Sequence, residues 1–364
     1  MDGGRSGLSD LRERAREFAA REVAPHAARW ERERSLPLAT LRAAAAAGLT
    51  EVRLPGRSLV EACAVFEELA AADYAFAFTL VCHCNTARAL AGAGLDVEPL
   101  LRGEAVGAFC LTEPGAGTDA AAITAAARPA AGGWRLDGVK AWVTNGAFAK
   151  AFLVYAQTDP AAGHRGIAGF AVQGPLPGLT AGEPYGLPAG HAMGISDVRF
   201  EDCPAAALVA PPGEGFKAAM RGIDAARAIV AAMCCGMLAR GLELAVERVK
   251  ARRAFGRPLA DFQALQWALA DAATELEAAR LLADAAAAAI DAGGDASVAA
   301  AHAKKFAPAA ALRHLAACIQ LMGAEGLHDR HPLGRHLACA KMAQIQDGTN
   351  EVQNLVIARR LVPG

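Results

Sequence analysis

The residues with the clearest chemical potential lie near the end of the chain, in the stretch QIQDGTNEVQ at 344–353. Asp347 is the candidate for chemistry, because burial in a dry pocket raises the pKa of a carboxyl group and lets it remove a proton from carbon. Aspartate is also a favoured helix N-cap, and a helix is expected to begin near Thr349. The stretch therefore offers either a general base or a helix cap.

Two further stretches in the middle of the chain combine glycines with hydroxyl and aromatic side chains. The first, LTEPGAGTD at 111–119, allows a tight turn whose backbone N–H groups can meet a pyrophosphate or the edge of a flavin. Such a turn is weak evidence on its own. The second, KAWVTNG at 140–146, contains Trp142 and Thr144. A lone tryptophan in a β domain is as often a core residue, but the fixed spacing from the first stretch favours a site.

Charged residues at helical spacing form a third group. Asp224 and Arg227 are three residues apart and share one face of a helix, where the simplest reading is an intrahelical salt bridge. Arg252, in ARRAFG at 251–256, has a planar guanidinium that suits bidentate phosphate recognition. Without other context Arg252 would be a solvated helix residue.

Taken together, these motifs resemble those of the acyl-CoA dehydrogenases, flavoenzymes that desaturate acyl thioesters. The resemblance covers nearly the whole chain and is strongest over 107–150 and 214–361. It implies FAD as cofactor and Asp347 as the base that takes the α-proton while hydride leaves the β-carbon for flavin N5. It also implies that the backbone N–H of the base and a ribityl hydroxyl polarise the thioester carbonyl. No metal site is expected, because no partner pair at suitable spacing follows Cys82-His83-Cys84.

The resemblance implies roles for residues around the flavin. Thr112 and Thr118 would contact the flavin and its phosphates, Trp142 would stack near the isoalloxazine, and Thr144 would hydrogen-bond N5. The implied cofactor-binding set is Leu111, Thr112, Gly117, Thr118, Trp142, Thr144, Arg252, Phe255, Gln263, Gln320, Gly323, Thr349 and Glu351.

The resemblance also implies an assembly and a substrate arm. Arg252 and Phe255 would come from a neighbouring subunit and grip the adenine-side phosphates, and Gln320 would touch the same dinucleotide, so a homotetramer is expected. An electron-transfer flavoprotein is the implied electron acceptor. The implied substrate-binding residues, along the pantetheine arm of an acyl-CoA, are Asp224, Arg227 and Gly348.

The chain departs from the family pattern around the base. Most members have glutamate where this chain has Asp347, and the alternative position for the base on the helix of Asp224 holds Ala226. The loop at 54–58 is much shorter than the usual glycine-rich loop. A carboxylate displaced by roughly an ångström can cost ~100-fold in rate, so a straight-chain substrate fits poorly. A cyclic or branched acyl-CoA is the leading expectation, with a carrier-bound acyl group as the other.

Two other functions fit the same motifs. A flavin oxidase similar to the nitroalkane oxidases would share the fold and an aspartate base, but it would have no use for the CoA contacts of Asp224 and Arg227. A non-catalytic flavin-binding subunit of a mixed oligomer would explain the altered base. The intact flavin motifs favour the dehydrogenase.

Hydrophobic periodicity divides the chain into three parts. Residues 9–105 favour helices, including one over Leu59–Ala72. From 106 to 212 Gly and Pro become frequent and short apolar runs predict strands. Helical patterns return from Phe216, with a break or kink expected at Pro308.

The predicted fold is therefore mainly α with a central β domain. With the resemblance it becomes an N-terminal helical domain (1–106), a middle β-barrel domain (107–213) and a C-terminal four-helix bundle (214–364).

Composition sets the remaining expectations. Of 364 residues, 54% are hydrophobic and 21% are charged, and the net charge of −1 argues against a nucleic-acid partner. The first residues do not read as a signal peptide, and the alanine-rich runs are too short to cross a membrane. The nine cysteines suggest reduced core thiols and a cytoplasmic protein.

Overall fold

The N-terminal part of the protein is helical, as the periodicity predicts. The computed structural model describes residues 3–34 and 38–362. Side-chain caps begin two central helices: the Ser58 hydroxyl accepts from the Glu61 N–H (3.4 Å), and the Asp73 carboxylate accepts from the Phe76 N–H (2.9 Å). The helices are α1 (Gly3–Phe18, continued by a π-turn at Ala19–Val23), α2 (Ala27–Glu33), α3 (Leu38–Ala46), α4 (Leu59–Ala72), α5 (Tyr74–Gly92) and α6 (Glu98–Leu101).

The middle of the chain forms one sheet of eight strands. The strands follow the order β6-β7-β3-β2-β4-β5-β8, and β1 pairs with β4 in parallel. Apolar side chains of β1 to β5 and β7 pack into a core of their own. The strands are β1 (Gly107–Cys110), β2 (Ala126–Ala130), β3 (Gly133–Val143), β4 (Ala151–Gln157), β5 (Ile167–Gln173), β6 (Leu179–Ala181), β7 (Ser196–Ala205) and β8 (Ala207–Ala210).

The C-terminal part returns to helices. Helices α7 and α9 are parallel: the Ser297 hydroxyl at the start of α9 donates to Asp224 near the start of α7, and Gly241 further along α7 lies against Leu315 of α9. Helix α8 returns between them. The elements are α7 (Gly215–Ala251), a short hairpin of β9 (Arg253–Ala254) and β10 (Arg257–Pro258), α8 (Gln263–Asp291), α9 (Ser297–Met322), α10 (Leu333–Ala343) and α11 (Asn350–Leu361).

Helix α7 joins the two helical parts in one apolar core. Its residues 225–238 pack with side chains of α4, α5, α8 and α9. Gly236 makes this possible, because a Cβ there would lie 2.0 Å from the Glu67 carbonyl oxygen of α4. By length and composition α7 could also span a membrane, but 72% of its most apolar window is buried in the protein, as in the core helix of a globular domain.

The predicted fold class is confirmed: helices, then a central sheet, then helices. The predicted domain limits at 106/107 and 213/214 lie between α6 and β1 and between β8 and α7, and the division itself stays a prediction. Of the two outcomes expected at Pro308, the break is wrong, because α9 continues through this residue, and the kink stays a prediction. Pro308 is buried with Ala307 and Ala311, and this packing outweighs the ~3 kcal/mol that a mid-helix proline costs.

Candidate active site

Asp347 lies in the turn that connects α10 to α11. Thr349 is the N-cap of α11, with its hydroxyl accepting from the Val352 N–H at 3.4 Å. Asp347 therefore does not cap this helix, and the first of its two possible roles remains. Its φ of 51° and the φ of 93° at Gly348 place both residues in the left-handed region, which turns the chain sharply.

Three side chains hold this turn by its backbone. The Arg227 Nε donates to the Asp347 carbonyl at 2.9 Å, and the Gly348 carbonyl accepts from Lys304 Nζ (2.6 Å) and Gln353 Nε2 (2.9 Å). A Cβ at Gly348 would lie 3.0–3.3 Å from neighbouring side-chain atoms, so glycine suits both the space and the φ. The anchors bind the carbonyls and leave the carboxylate of Asp347 free.

The carboxyl group of Asp347 is buried. Its Oδ2 atom is buried and forms no hydrogen bond with any residue in the described ranges. Burial raises its pKa above 3.8, while the nearby cations Lys304 and Arg227 act in the opposite direction. Burial also lowers the pKa of Lys304 to about 8. A buried carboxylate without a partner is what a general base requires.

Asp347 opens onto a large cavity with a volume of about 1330 Å³. Its walls are formed by α5, by the loop before α4, by strands β1, β4 and β8, by the start of α7 and by the α8–α9 connection. The cavity is large enough for a sizeable organic ligand.

Of the pair predicted to follow the substrate arm, Asp224 lines this cavity and Arg227 lies beside it in the same helix. Arg227 Nη1 donates to the Asp224 carboxylate at 2.8 Å, and the Ser297 hydroxyl donates to its other oxygen at 2.7 Å. Because Arg227 also binds the Asp347 carbonyl, the intrahelical salt bridge serves the Asp347 turn as well. The structure thus brings Asp224, Arg227, Asp347 and Gly348 together.

The predicted flavin residues of the middle part lie in the loop after β1 and at the end of β3. The Ala141 N–H donates to the Thr112 carbonyl at 2.9 Å, which joins the 111–119 stretch to β3. Trp142 is 61% exposed with a φ of 57°, and its ring meets Tyr185 edge-on at 4.6 Å. A tryptophan face left in solvent is a ready platform for a planar ring such as a flavin. These strands therefore fit the cofactor.

Cys82 of α5 lies between the Asp347 turn and the flavin residue Thr144 predicted from the sequence. Burial raises the pKa of its thiol, with a further contribution from the negative charge of Asp347, and the Thr144 side chain acts in the opposite direction. Thr144 and Asp347 therefore both lie beside one side chain. Leu111 is buried nearby in the middle part, whereas Gly117 and Thr118 are exposed in a loop with open space around the glycine.

The remaining predicted cofactor residues are elsewhere. Arg252 follows α7 and Phe255 is 94% exposed with a φ of 52°, while Asp347 and Arg227 lie near the other end of α7. Since α7 and α9 are parallel, the end of α9 lies at the same end of the bundle as Arg252. Exposed residues at this end are Arg252, Phe255, Gln263, Gln320 and Gly323. Glu351 is exposed at the start of α11, one turn from the Asp347 loop.

Sequence reasoning missed several residues of this site. Lys304 is fully buried and reaches the Asp347 turn from α9, and its only signal is a lysine inside an alanine-rich stretch. Tyr74 donates a short hydrogen bond to Gln346, which occupies the position before the base. Arg53, immediately before the shortened loop at 54–58, lines the cavity.

Comparisons with known proteins agree with this geometry. Models of the acyl-CoA dehydrogenase N-terminal, middle and C-terminal domains match residues 8–96, 108–203 and 213–362. The mouse mitochondrial short-chain specific acyl-CoA dehydrogenase is 34% identical over 378 residues, which cover 97% of this chain and 89% of that protein.

Solved structures give the same result. Butyryl-CoA dehydrogenase from Megasphaera elsdenii superposes with a TM-score of 0.91 at 32% identity over 97% of both chains. A chain from a structure described as the electron transferring flavoprotein of Acidaminococcus fermentans superposes with a TM-score of 0.93 at 33% identity over 98% of both chains.

Proposed function

This chain belongs to the acyl-CoA dehydrogenase family of FAD-dependent oxidoreductases, and from that premise we propose that it desaturates an acyl-CoA with Asp347 as the catalytic base. The observation that carries the proposal is the Oδ2 atom of Asp347, buried and without a hydrogen-bond partner in the described chain, on the wall of the large cavity. A carboxylate in this setting gains by taking a proton.

The Asp347 turn supplies a second element of the reaction. Its two carbonyls are held by Arg227 and Lys304, and the N–H groups of Asp347 and Gly348 donate to no acceptor in the described residues. These N–H groups are free to polarise a thioester carbonyl as the α-carbon loses its proton to Asp347. FAD, when bound against Trp142 and Thr144, supplies the acceptor for the hydride from the β-carbon.

We infer that a second copy of the chain completes each cofactor site. Arg227 and Arg252 are separated by 252 − 227 = 25 residues along α7, which corresponds to about 38 Å at 1.5 Å per residue. Arg252 therefore lies too far from the Asp347 turn to grip the same dinucleotide easily. Exposed Phe255, Trp267 and Leu281 also favour an interface on the C-terminal helices. A homotetramer is proposed, and a monomer that retains FAD in sedimentation would contradict it.

The finer parts of the assignment rest on the residues around the base. The shorter carboxylate and the trimmed loop at 54–58 support a cyclic or branched acyl group, which brings its α-proton closer to Asp347. The likeness to the Acidaminococcus fermentans chain supports an electron-transfer flavoprotein as acceptor. Nine free cysteines, eight of them buried, support a cytoplasmic location.

The test is an anaerobic titration of the FAD-loaded protein with straight, branched and cyclic acyl-CoAs and with nitroalkanes, following loss of the flavin absorption. We expect one class of acyl-CoA to reduce the flavin in the wild type and none to do so in Asp347→Asn. Asp295→Asn is the matched control, because this exposed carboxylate lies on the same cavity. Reduction by nitroalkanes alone would assign an oxidase, and binding of FAD without reduction by any compound would assign a non-catalytic subunit.

A further inference from the structure

Four arginines line the cavity that contains Asp347; one of them, Arg57, pairs with Glu51 at 3.8 Å, and the other three are Arg53, Arg88 and Arg221. Among the residues that the structure describes, none of the three forms a salt bridge with a carboxylate. Arg88 and Arg221 are exposed, so solvent can balance their charges. Arg53 is only 5% exposed, which makes it the charge that the fold itself leaves unbalanced.

The Arg53 side chain is fixed by a hydrogen bond at Nε, while its two terminal guanidinium nitrogens have no acceptor among the described residues. Its Nε donates to the Asn85 side-chain oxygen of α5 at 3.2 Å. Arg88 Nη1 donates to the Arg53 carbonyl at 3.1 Å and so ties the loop to α5. Because Arg53 lines the cavity, these free donors are available to a ligand there.

The lowered pKa of Arg53 shows that its buried charge is unfavourable. Burial, and then the charge of Arg88, lower the pKa of Arg53 to about 10. Asp291 favours the charged form, but its carboxylate already accepts from the Ser58 hydroxyl (2.7 Å) and the Leu59 N–H (2.8 Å). A buried guanidinium without an anion is unfavourable, and an anion brought by a ligand would relieve it.

The position of Arg53 indicates which part of a ligand carries that anion. Along one face of α5, Cys82 lies beside Asp347, Asn85 is three residues further, and Arg88 is six residues further. These steps correspond to about 4.5 Å and about 9 Å along the helix. The pantetheine arm is assigned to another wall, at Asp224 on α7. The anion therefore sits one to two helical turns from the reacting carbons, on the acyl side.

Resting on the proposed function, we propose that Arg53 is a specificity residue that binds a carboxylate at the far end of the acyl group, so the preferred substrates are short dicarboxylic acyl thioesters. As in the proposed function, the acyl part is cyclic or branched, and the straight-chain pairs used in the test isolate the effect of the distal group. The bond changes stay those of dehydrogenation: Asp347 takes the α-proton, the β-hydrogen leaves with its electron pair to FAD, a C=C bond forms, and the distal carboxylate is unchanged.

The experiment compares matched pairs of substrates that differ only in the distal group: glutaryl-CoA with pentanoyl-CoA, and adipyl-CoA with hexanoyl-CoA. In the wild type we expect a higher kcat/KM for the diacid of each pair. Arg53→Met should lower kcat/KM for the diacids by about 10- to 100-fold and change the monoacids less than about threefold. Arg53→Lys should restore part of the diacid preference, and Arg57→Met, in the same loop on the same cavity, should leave it unchanged.

Other outcomes would overturn the proposal. An equal loss for both members of each pair in Arg53→Met would show that Arg53 reads a phosphate of the CoA arm. If the wild type shows no preference for the diacids, or if Arg53→Met keeps that preference unaltered, Arg53 does not bind a distal carboxylate of the substrate.

Binding measurements without turnover test the Arg53 proposal separately from the proposed reaction. In Asp347→Asn, calorimetry with glutaryl-CoA and pentanoyl-CoA measures recognition without turnover, and Arg53→Met in that background should abolish the difference in Kd. Diacid-selective binding without flavin reduction in the wild type would refute the reaction and keep the Arg53 site. Equal binding, or no binding, of the two thioesters would refute the site.

Discussion

Replacing Lys304 by methionine separates the stability of this protein from its activity. Burial lowers the Lys304 pKa from 10.5 to about 8, and the difference corresponds to about 3 kcal/mol of unfavourable charge burial in the folded protein at neutral pH. The lost hydrogen bond to Gly348 O (2.6 Å) offsets about 1.5–3 kcal/mol. Gln353 still donates to the same oxygen. We therefore expect Lys304→Met to change the unfolding free energy by between about 0 and +1.5 kcal/mol.

The pH dependence gives this prediction its sign. Between about 8 and 10.5 the unfolded chain keeps the Lys304 proton and the folded protein releases it. The stability of the wild type therefore rises with pH in that window. Any advantage of Lys304→Met should be present below pH 8 and should shrink as pH rises toward 10.5.

The assay is urea unfolding followed by circular dichroism at pH 7 and pH 9.5, with fixed protein concentration and excess FAD because binding and assembly add to apparent stability. Lys305→Met is the control, since Lys305 is the exposed neighbour on the same helix and should change stability by less than about 0.5 kcal/mol. A loss above about 2 kcal/mol in Lys304→Met at pH 7, with Lys305→Met unchanged, would refute the reasoning.

In Lys304→Met the pH dependence of kcat/KM should also shift in one direction. Lys304 is the largest influence that opposes the raised pKa of Asp347. Without this cation the Asp347 pKa rises further, and the acid limb of the kcat/KM profile moves to higher pH. Lys305→Met should leave the profile in place.

Two further predictions concern the scaffold. Gly236→Ala should lower the unfolding free energy by more than about 2 kcal/mol, because the new Cβ meets the Glu67 carbonyl at 2.0 Å, whereas Gly222→Ala in open space on the same helix should raise it by up to about 1 kcal/mol. Equal effects in urea unfolding would contradict the close packing of α4 on α7. Lys140→Met removes the buried salt-bridge partner of Glu113 (2.7 Å), which lies in the 111–119 stretch, and should lower the unfolding free energy by about 3–5 kcal/mol. Thermal unfolding with excess FAD measures this loss of stability. A loss below about 1 kcal/mol would refute the prediction.

Much of the fold could be predicted because its signals are local. The periodicity over Leu59–Ala72 gave a helix with those bounds, and the helix expected near Thr349 begins at Asn350. The wrong prediction at Pro308 shows the limit of such signals. A proline weakens a helix locally, but the packing that maintains α9 comes from elements distant in the chain.

The candidate site was predictable in its residue types and not in its assembly. The motifs indicated Trp142, Thr144, Asp224, Arg227 and Asp347. In the structure Asp224 and Asp347 line one cavity, Arg227 binds the Asp347 carbonyl, and Trp142 and Thr144 lie at the end of β3. No pattern indicated Lys304 or Arg53, because a lysine or arginine is ordinarily a surface residue and only its neighbours reveal otherwise.

The sequence by itself determined the order of helices and strands, the helix over Leu59–Ala72, the family and the cofactor, since each depends on residues that are close together in the chain. Only the tertiary structure decided that Asp347 is a buried carboxyl without a hydrogen-bond partner in the described chain rather than a cap. It also decided that Arg252 lies far along α7 from Arg227, and that Arg53 keeps a buried charge with no carboxylate partner among the described residues. The physical reason is that burial and charge neighbours depend on which distant segments the packing of the core brings together.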